Sequence, residues 1–304
     1  SDGVSVLHSK NRYLIRLETI VKIIWCKVLI ISALGQKDYE VKLAKFLGKK
    51  IIYIMHGFAE DDSEYLKARQ DYLFPRADLI LCVSGPFKNQ VALKYPELTS
   101  RLGVLTNGIA WEKINDEIKN IKVLRDNNEI VLIGGGRVIK KNLNICRAIQ
   151  RINDQTGSNY HVSVYGQKLE TDESCDIEKI PCVSFCGLIP HEELLRKFSM
   201  SNLFVQGSSS ESFGLGVVEA LACGCNLVVS QYVGALSVIS AIKKEEIVFD
   251  PDDIEEITER ILWVLGHPNN ERLLNSIDRE QTSLKVASRK LIEMAKNVIN
   301  DSCC

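Results

Sequence analysis

Long hydrophobic runs are missing from this sequence. The longest apolar stretch, Ile20–Leu34, is broken by Lys22 and Lys27, so it is too short and too charged to span a bilayer. No signal peptide is visible, although the chain opens on Ser1 rather than Met. Net charge is nearly absent too. The 38 Lys and Arg residues against 39 Asp and Glu leave a formal −1, which gives no global attraction to nucleic acid or to an anionic surface. The ten cysteines include no C-x-x-C pair. Most sit among apolar neighbours, as in Ala222-Cys-Gly-Cys225, and read as reduced, mostly buried thiols of a cytosolic protein. A metal site from Cys182, Cys186, Cys223 and Cys225 has the wrong spacing for zinc, so no metal site is expected. Low-complexity segments and repeats of solenoid length are lacking as well. What remains is a composition of 45% hydrophobic and 25% charged residues over 304 positions. That suits a globular protein of two ordinary domains.

What is present is an alternation of short β-like runs with longer helical ones. The strand candidates are Val4–His8, Val28–Ser32, Lys50–Met55, Leu79–Val83, Gly103–Leu105, Ile130–Ile133, Tyr160–Tyr165, Val183–Cys186, Asn202–Gln206, Asn226–Ser230 and Glu246–Phe249. Most are continuous Val/Ile/Leu runs, the pattern of strands covered on both faces of a parallel sheet. Amphipathic stretches lie between them, such as Lys37–Leu47, Asn142–Asn153, His191–Met200, Asp253–Leu265 and Leu284–Ile299. The alternation predicts doubly wound α/β folding. It pauses over the polar stretch Thr106–Asn128, which reads as the link between two α/β domains.

Three constellations carry candidate chemistry. In the first, strand Asn202–Gln206 feeds a Ser/Gly-rich loop and then Glu211-Ser-Phe-Gly-Leu-Gly-Val-Val-Glu219. A helix is expected from about Gly214 to Cys223, with Gly224 as its stop. Glu219 has Leu215, Gly216, Ala222 and Cys223 as helical neighbours and so lies on an apolar stripe. A carboxylate there needs partners: ribose hydroxyls, an internal Arg or Lys, or a solvated helix edge. Gly214 and Gly216 would let a ligand approach the backbone, and no capping box covers the first amides, which attract phosphate. Glu211 sits just before that helix. In the second constellation, strand Ile130–Ile133 ends in Gly134-Gly-Gly136, followed by Arg137, Lys140 and Lys141. Asn142 is expected to cap the next helix. The basic residues could neutralise a diphosphate or remain solvated. The glycines form neither a P-loop nor G-x-G-x-x-G. In the third, Ile51–Met55 ends in His56-Gly57, where a histidine could meet a ligand or serve the structure alone.

Taken in order, these pieces resemble the family 4 retaining glycosyltransferases of the GT-B fold. The resemblance rests on His56-Gly57, Leu81-Cys-Val-Ser84, Leu105-Thr-Asn107-Gly108-Ile109, Gly136-Arg137 with Lys141-Asn142, Val183-Ser-Phe-Cys-Gly187, the E-x7-E segment Glu211–Glu219, and Phe249-Asp-Pro251. It spans most of residues 28–265. It departs at Ser212, where glycine is usual, and in the spacing of Arg137 to Lys141, which is one residue short, so Lys140 or Lys141 could fill the role. Nothing before Val28 matches the family's opening strand and Gly-Gly loop.

The resemblance implies two Rossmann-like domains facing a cleft. These are an acceptor-side domain over 1–106, apparently shortened, a linker over 107–128, a nucleotide-sugar-binding domain over 129–282, and a final helix over 283–304 packing back toward the first domain. It implies a nucleotide-diphosphate sugar donor, UDP- or GDP-linked, with no obligatory metal, and a glycan or lipid-linked acceptor. The expected product is a polysaccharide or glycoconjugate. Glu211 would contact the donor sugar, Glu219 the ribose, and amides around Ser212, Phe213, Gly214, Leu215 and Gly216 the sugar and phosphate. Gly136, Arg137 and Lys140 or Lys141 would clamp the diphosphate, His56 would approach the donor sugar, and Leu188 would meet the base. The expected location is cytoplasmic, peripheral at the inner membrane face if the acceptor is lipid-linked. Two alternatives are a non-catalytic sugar-nucleotide-binding scaffold and a GT-B epimerase. A phosphorylase is disfavoured because no pyridoxal phosphate lysine motif is evident.

Overall fold

The structure, a computed structural model, describes residues 12–32, 34, 38–58, 63–119, 121, 123–169 and 173–300. The strand candidate Val4–His8 and the cysteines 303 and 304 lie outside these residues. Two compact units emerge, one of residues 1–106 with 285–304 and one of residues 107–284.

The first unit runs α1 (Arg12–Trp25), β1 (Val28–Ile31), α2 (Asp38–Phe46), β2 (Lys50–Met55), α3 (Glu64–Leu73), β3 (Leu79–Cys82), α4 (Gly85–Lys94) and β4 (Leu102–Val104). Its strands pair in parallel in the order β1-β2-β3-β4. The central strands are sealed on both faces: Ile51, Ile52, Met55, Ile80 and Leu81 are fully buried. That is why β2 and β3 read as continuous apolar runs rather than alternating ones. Ser63 and Ser84 open α3 and α4 by accepting from Leu66 N at 3.2 Å and Phe87 N at 3.1 Å. The apolar stretch from Ile20 divides between the end of α1 and β1. Among the described residues no helix is long and apolar enough to cross a membrane.

The second unit holds α5 (Trp111–Ile118), β5 (Asp126–Ile133), α6 (Asn142–Thr156), β6 (His161–Tyr165), α7 (Ser174–Ile177), β7 (Val183–Gly187), α8 (His191–Met200), β8 (Ser201–Gln206), α9 (Leu215–Ala222), β9 (Asn226–Ser230), β10 (Ile247–Val248), α10 (Ile254–Gly266) and α11 (Asn270–Asn275). The stretch expected to link the domains therefore contains a helix, α5, which counts with this unit and contacts α8 and α9. The helix α12 (Leu284–Asn300) counts with the first unit from Lys285.

The second sheet is parallel, in the order β10-β9-β8-β5-β6-β7. One face packs against α6 and α10 through Ile145, Ile149, Ile152, Ile257, Ile261 and Val264. These recur at helical spacing, so each helix buries a single stripe. On the other side Phe198 of α8 meets Phe204 of β8 edge-on, with ring centroids 5.3 Å apart. Strands β5, β6 and β7 are tied by side chains: His161 Nδ1 lies 2.7 Å from Glu129 Oε2 and its Nε2 2.9 Å from Ser184 Oγ.

Candidate functional site

The glycine triplet after β5 is built for close approach of two loops. Gly134 and Gly135 have φ of 94° and 62°, and a Cβ on Gly135 would stand 2.3 Å from the Gln167 carbonyl oxygen. Gly135 N donates to Tyr165 O at 3.0 Å, and buried Gly136 accepts from Glu173 N at 2.9 Å. The triplet thus fastens the β5 loop to the loop after β6. A Cβ on Gly134 would strike the Lys140 side chain, so the bare glycine leaves room for that lysine's stem.

Lys141, not Asn142, is the residue preceding α6, and it adopts a left-handed conformation at φ 56°. Asn142 instead starts the helix proper. Its buried amide donates to Ile133 O at 3.1 Å and Gly135 O at 2.7 Å, locking the loop to strand and helix together. This backbone twist sends the two neighbouring lysines apart. Lys140 Nζ reaches Glu211 Oε2 at 2.5 Å. Lys141 Nζ turns to Asp252, at 2.7 and 2.9 Å from its two oxygens, and Asn144 holds the same turn through Pro251 O at 3.0 Å. Of the two lysines expected to serve the site, the structure brings only Lys140 to Glu211. Arg137 lies half-buried at the same loop.

Glu211 belongs to a loop held by its backbone. Glu211 N donates to Tyr232 O at 3.2 Å, and its carbonyl accepts from Gly234 N at 3.0 Å. Gln206 Nε2 approaches Oε2 at 3.4 Å, so this oxygen faces two donors. Phe213 is buried, with its carbonyl accepting from Ala235 N at 2.6 Å, and Ser212 lies half-buried beside it. Gly214, at φ 88°, precedes α9, and no side chain caps that helix start. Leu215 is partly exposed there. Gly216 also has a packing task. A Cβ on it would come within 2.5 Å of Ile133 Cδ1, so it serves the packing of α9 on β5. At the far end Gly224, at φ 94°, terminates the helix. Arg125 caps it by donating to the carbonyls of Ser201 and Cys223 at 2.8 Å each and to that of Gly224.

Glu219 has an internal partner that is neither Arg nor Lys. His191, the first residue of α8, sets Nε2 2.9 Å from Glu219 Oε1. Its Nδ1 lies 3.6 Å from Oε2 of Glu117 on α5, a buried oxygen that accepts no hydrogen bond among the described residues. The sequence reasoning missed both residues. The available signal was that His191 opens the helix three residues after Leu188. Leu188 itself is strongly exposed in that loop, just after Gly187 at φ 71°. Cys223 lies nearby, and burial, followed by weaker contributions that include the Glu219 and Glu117 charges, pushes its thiol up to about 11.

His56 stands at the end of β2 in the first unit. Ser32 Oγ is 3.0 Å from its Nε2, and partial desolvation lowers its pKa below the ordinary 6.5. Among the described residues the cysteines are free thiols: Cys82, Cys146, Cys223 and Cys225 are buried, Cys26 and Cys182 partly so, and Cys175 and Cys186 exposed.

Comparison with known proteins bears on the fold and the family. Among solved structures, the UDP-forming α,α-trehalose-phosphate synthase of Burkholderia xenovorans superposes with a TM-score of 0.70 at 13% identity, covering 96% of this chain and 80% of that one. Sucrose-phosphate synthase of Thermosynechococcus elongatus gives 0.67 at 17% identity, covering 98% and 82%. Both are GT-B glycosyltransferases, and the likeness gives this chain their fold. Among curated proteins, a phosphatidylinositol N-acetylglucosaminyltransferase subunit of Arabidopsis thaliana is 21% identical over 81% of this chain and 56% of its own length. A sulfoquinovosyl transferase of the same plant is 22% identical over 69% and 42%. The chain thus spans about half the length of these relatives. The model of the glycosyl transferases group 1 matches residues 114–281, more than half of the chain, and the protein belongs to that family.

Proposed function

We propose that this chain carries the donor half of a retaining glycosyltransferase of family 4 type, which moves a hexosyl group from a nucleotide-diphosphate sugar to a hydroxyl acceptor. The observation that carries this reading is the Lys140–Glu211 pair at the uncapped start of α9, eight residues before Glu219. A cation and a helix start without a side-chain cap, beside a carboxylate, suit a sugar diphosphate. Lys140 and Arg137 stabilise negative charge growing on the leaving diphosphate, Glu211 contacts the donor sugar, and Glu219 takes the ribose hydroxyls. The positive charge comes from side chains and helix dipole, so the reading needs no obligatory metal.

The acceptor is a glycan or a lipid-linked glycan in glycoconjugate synthesis at the cytoplasmic side. A lipid-linked acceptor would bring peripheral membrane association. In its favour, α1 exposes Leu14, Leu17, Val21 and Ile24 at helical spacing, with Arg16 and Lys22 nearby on the same helix.

The test is a panel of UDP- and GDP-sugars with nucleoside diphosphate release as readout, comparing wild type with Glu211→Ala and Arg137→Ala. Turnover in wild type that falls in both variants is expected. Binding without turnover, with acceptor glycans present, would point to a non-catalytic scaffold. If no sugar nucleotide raises the melting temperature, the donor-site reading itself is wrong.

A further inference from the structure

Glu117, His191 and Glu219 form a column of carboxylate, imidazole and carboxylate drawn from α5, α8 and α9. We propose that His191 is a positioning residue for nucleotide binding. It holds one oxygen of Glu219 so that the other is aimed at the ribose, and Glu117 supports the ring from behind. The proposal rests on the reading of Glu219 as the ribose carboxylate.

The geometry assigns each atom a task. A carboxylate only accepts, so the 2.9 Å contact makes Nε2 of His191 the donor to Oε1 of Glu219. That contact leaves Oε2 of Glu219 for a ligand. Nδ1 of the ring faces Oε2 of Glu117 at 3.6 Å, an oxygen that is buried and without a hydrogen-bond partner among the described residues, so Glu117 backs the ring on the side away from Glu219. Other charged groups belong to the same elements. Lys113 on α5 lies 3.7 Å from the opposite oxygen of Glu117, Glu192 and Glu193 follow on α8, and Arg125 ahead of β5 donates to backbone carbonyls.

Without His191, Glu219 would keep its place on α9 but lose its aim. A charge-assisted hydrogen bond is about 1.5–3 kcal/mol, which corresponds to roughly a 10- to 150-fold change in affinity. The amides of Gln and Asn provide a geometric test, because the Gln nitrogen superposes on Nε2 and the Asn nitrogen on Nδ1.

The experiment is titration calorimetry of the full chain with UDP, GDP, ADP and dTDP in turn, with KM and kcat for donor turnover as the second readout. His191→Ala should weaken the preferred nucleotide at least about tenfold, raise donor KM and leave kcat near wild type. His191→Gln should recover most of the affinity, His191→Asn should not, and Glu117→Gln should lie between. Melting temperatures identify any variant that fails to fold, and His191→Gln, closest in shape, keeps the test open in that case. If Glu219→Ala abolishes nucleotide binding while His191→Ala leaves it intact, the positioning proposal falls and the ribose reading stands. Equal loss in the Gln and Asn variants also overturns the proposal. If Glu219→Ala binds every nucleotide as wild type does, the ribose reading falls.

Discussion

Glu211 and Glu219 bracket one motif and are almost equally buried, with side-chain exposures of 18% and 16%, yet they are held in opposite ways. Glu211 sits in a loop whose backbone is bonded to Tyr232 and Gly234, and its charge is met by Lys140, a fixed cation delivered past the glycine loop. Glu219 sits on a helix and is met by His191, an imidazole that donates from Nε2. On the proposed reading the first contact places positive charge beside the transferred group, and the second orients an acceptor of hydroxyls. The E-x7-E spacing therefore joins two devices with different physics.

The sharpest way to break this distinction is to remove each in turn. Lys140→Ala should cut donor turnover by about 10²–10³, the size seen when one group stabilising developing negative charge is removed. Donor KM should change little. Glu219→Ala should act chiefly on KM and on nucleoside diphosphate affinity. If both variants divide their losses between kcat and KM in the same way, the two carboxylates have one role, not two.

The next effect tests whether the Lys140 side depends on backbone geometry that the Glu219 side does not use. Gly135→Ala places a Cβ against Gln167 O at a positive φ. A side chain there costs about 1–3 kcal/mol. Urea denaturation should register that loss, with turnover falling as Lys140 is unseated. Unchanged stability would mean the loop relaxes freely and is no rigid cradle for Lys140.

These contrasts mark what the sequence could and could not disclose. Strand placement was legible because buried parallel strands such as Ile51–Met55 and Asn226–Ser230 are continuous apolar runs. The carboxylate pair was legible because its spacing is local. The lysine choice was not: Lys140 and Lys141 differ only in the left-handed turn between the glycines and α6, which composition does not encode. The partner of Glu219 was also hidden, since α5, α8 and α9 meet only in three dimensions, across 102 residues from Glu117 to Glu219 by position (219 − 117). The packing of Gly216 was hidden for the same reason, because its neighbour Ile133 is remote in the chain.

A smaller effect is expected at Lys141, which serves as the control for Lys140. Asp252 is 65% exposed, and an ion pair of that kind contributes at most about 1 kcal/mol. Lys141→Ala should therefore change stability by less than that and leave turnover within about twofold, as expected for a screened surface pair. A loss as large as that of Lys140→Ala would return Lys141 to the diphosphate site.

The smallest effect concerns His56, which contrasts with His191 because its partner is a hydroxyl, Ser32 Oγ, rather than a carboxylate. Desolvation lowers its pKa from 6.5, so near and below that pH the folded chain binds fewer protons at this site than the unfolded chain. Its share of stability is therefore complete above about pH 6.5 and is lost as pH falls through the lower folded value. His56→Asn, which keeps a polar group for Ser32 but does not titrate, should flatten that acid-side slope in melting temperature and leave the neutral value nearly unchanged. Parallel slopes in the two proteins would show that the ring is solvated, and the contrast between the two histidines would then reduce to geometry alone.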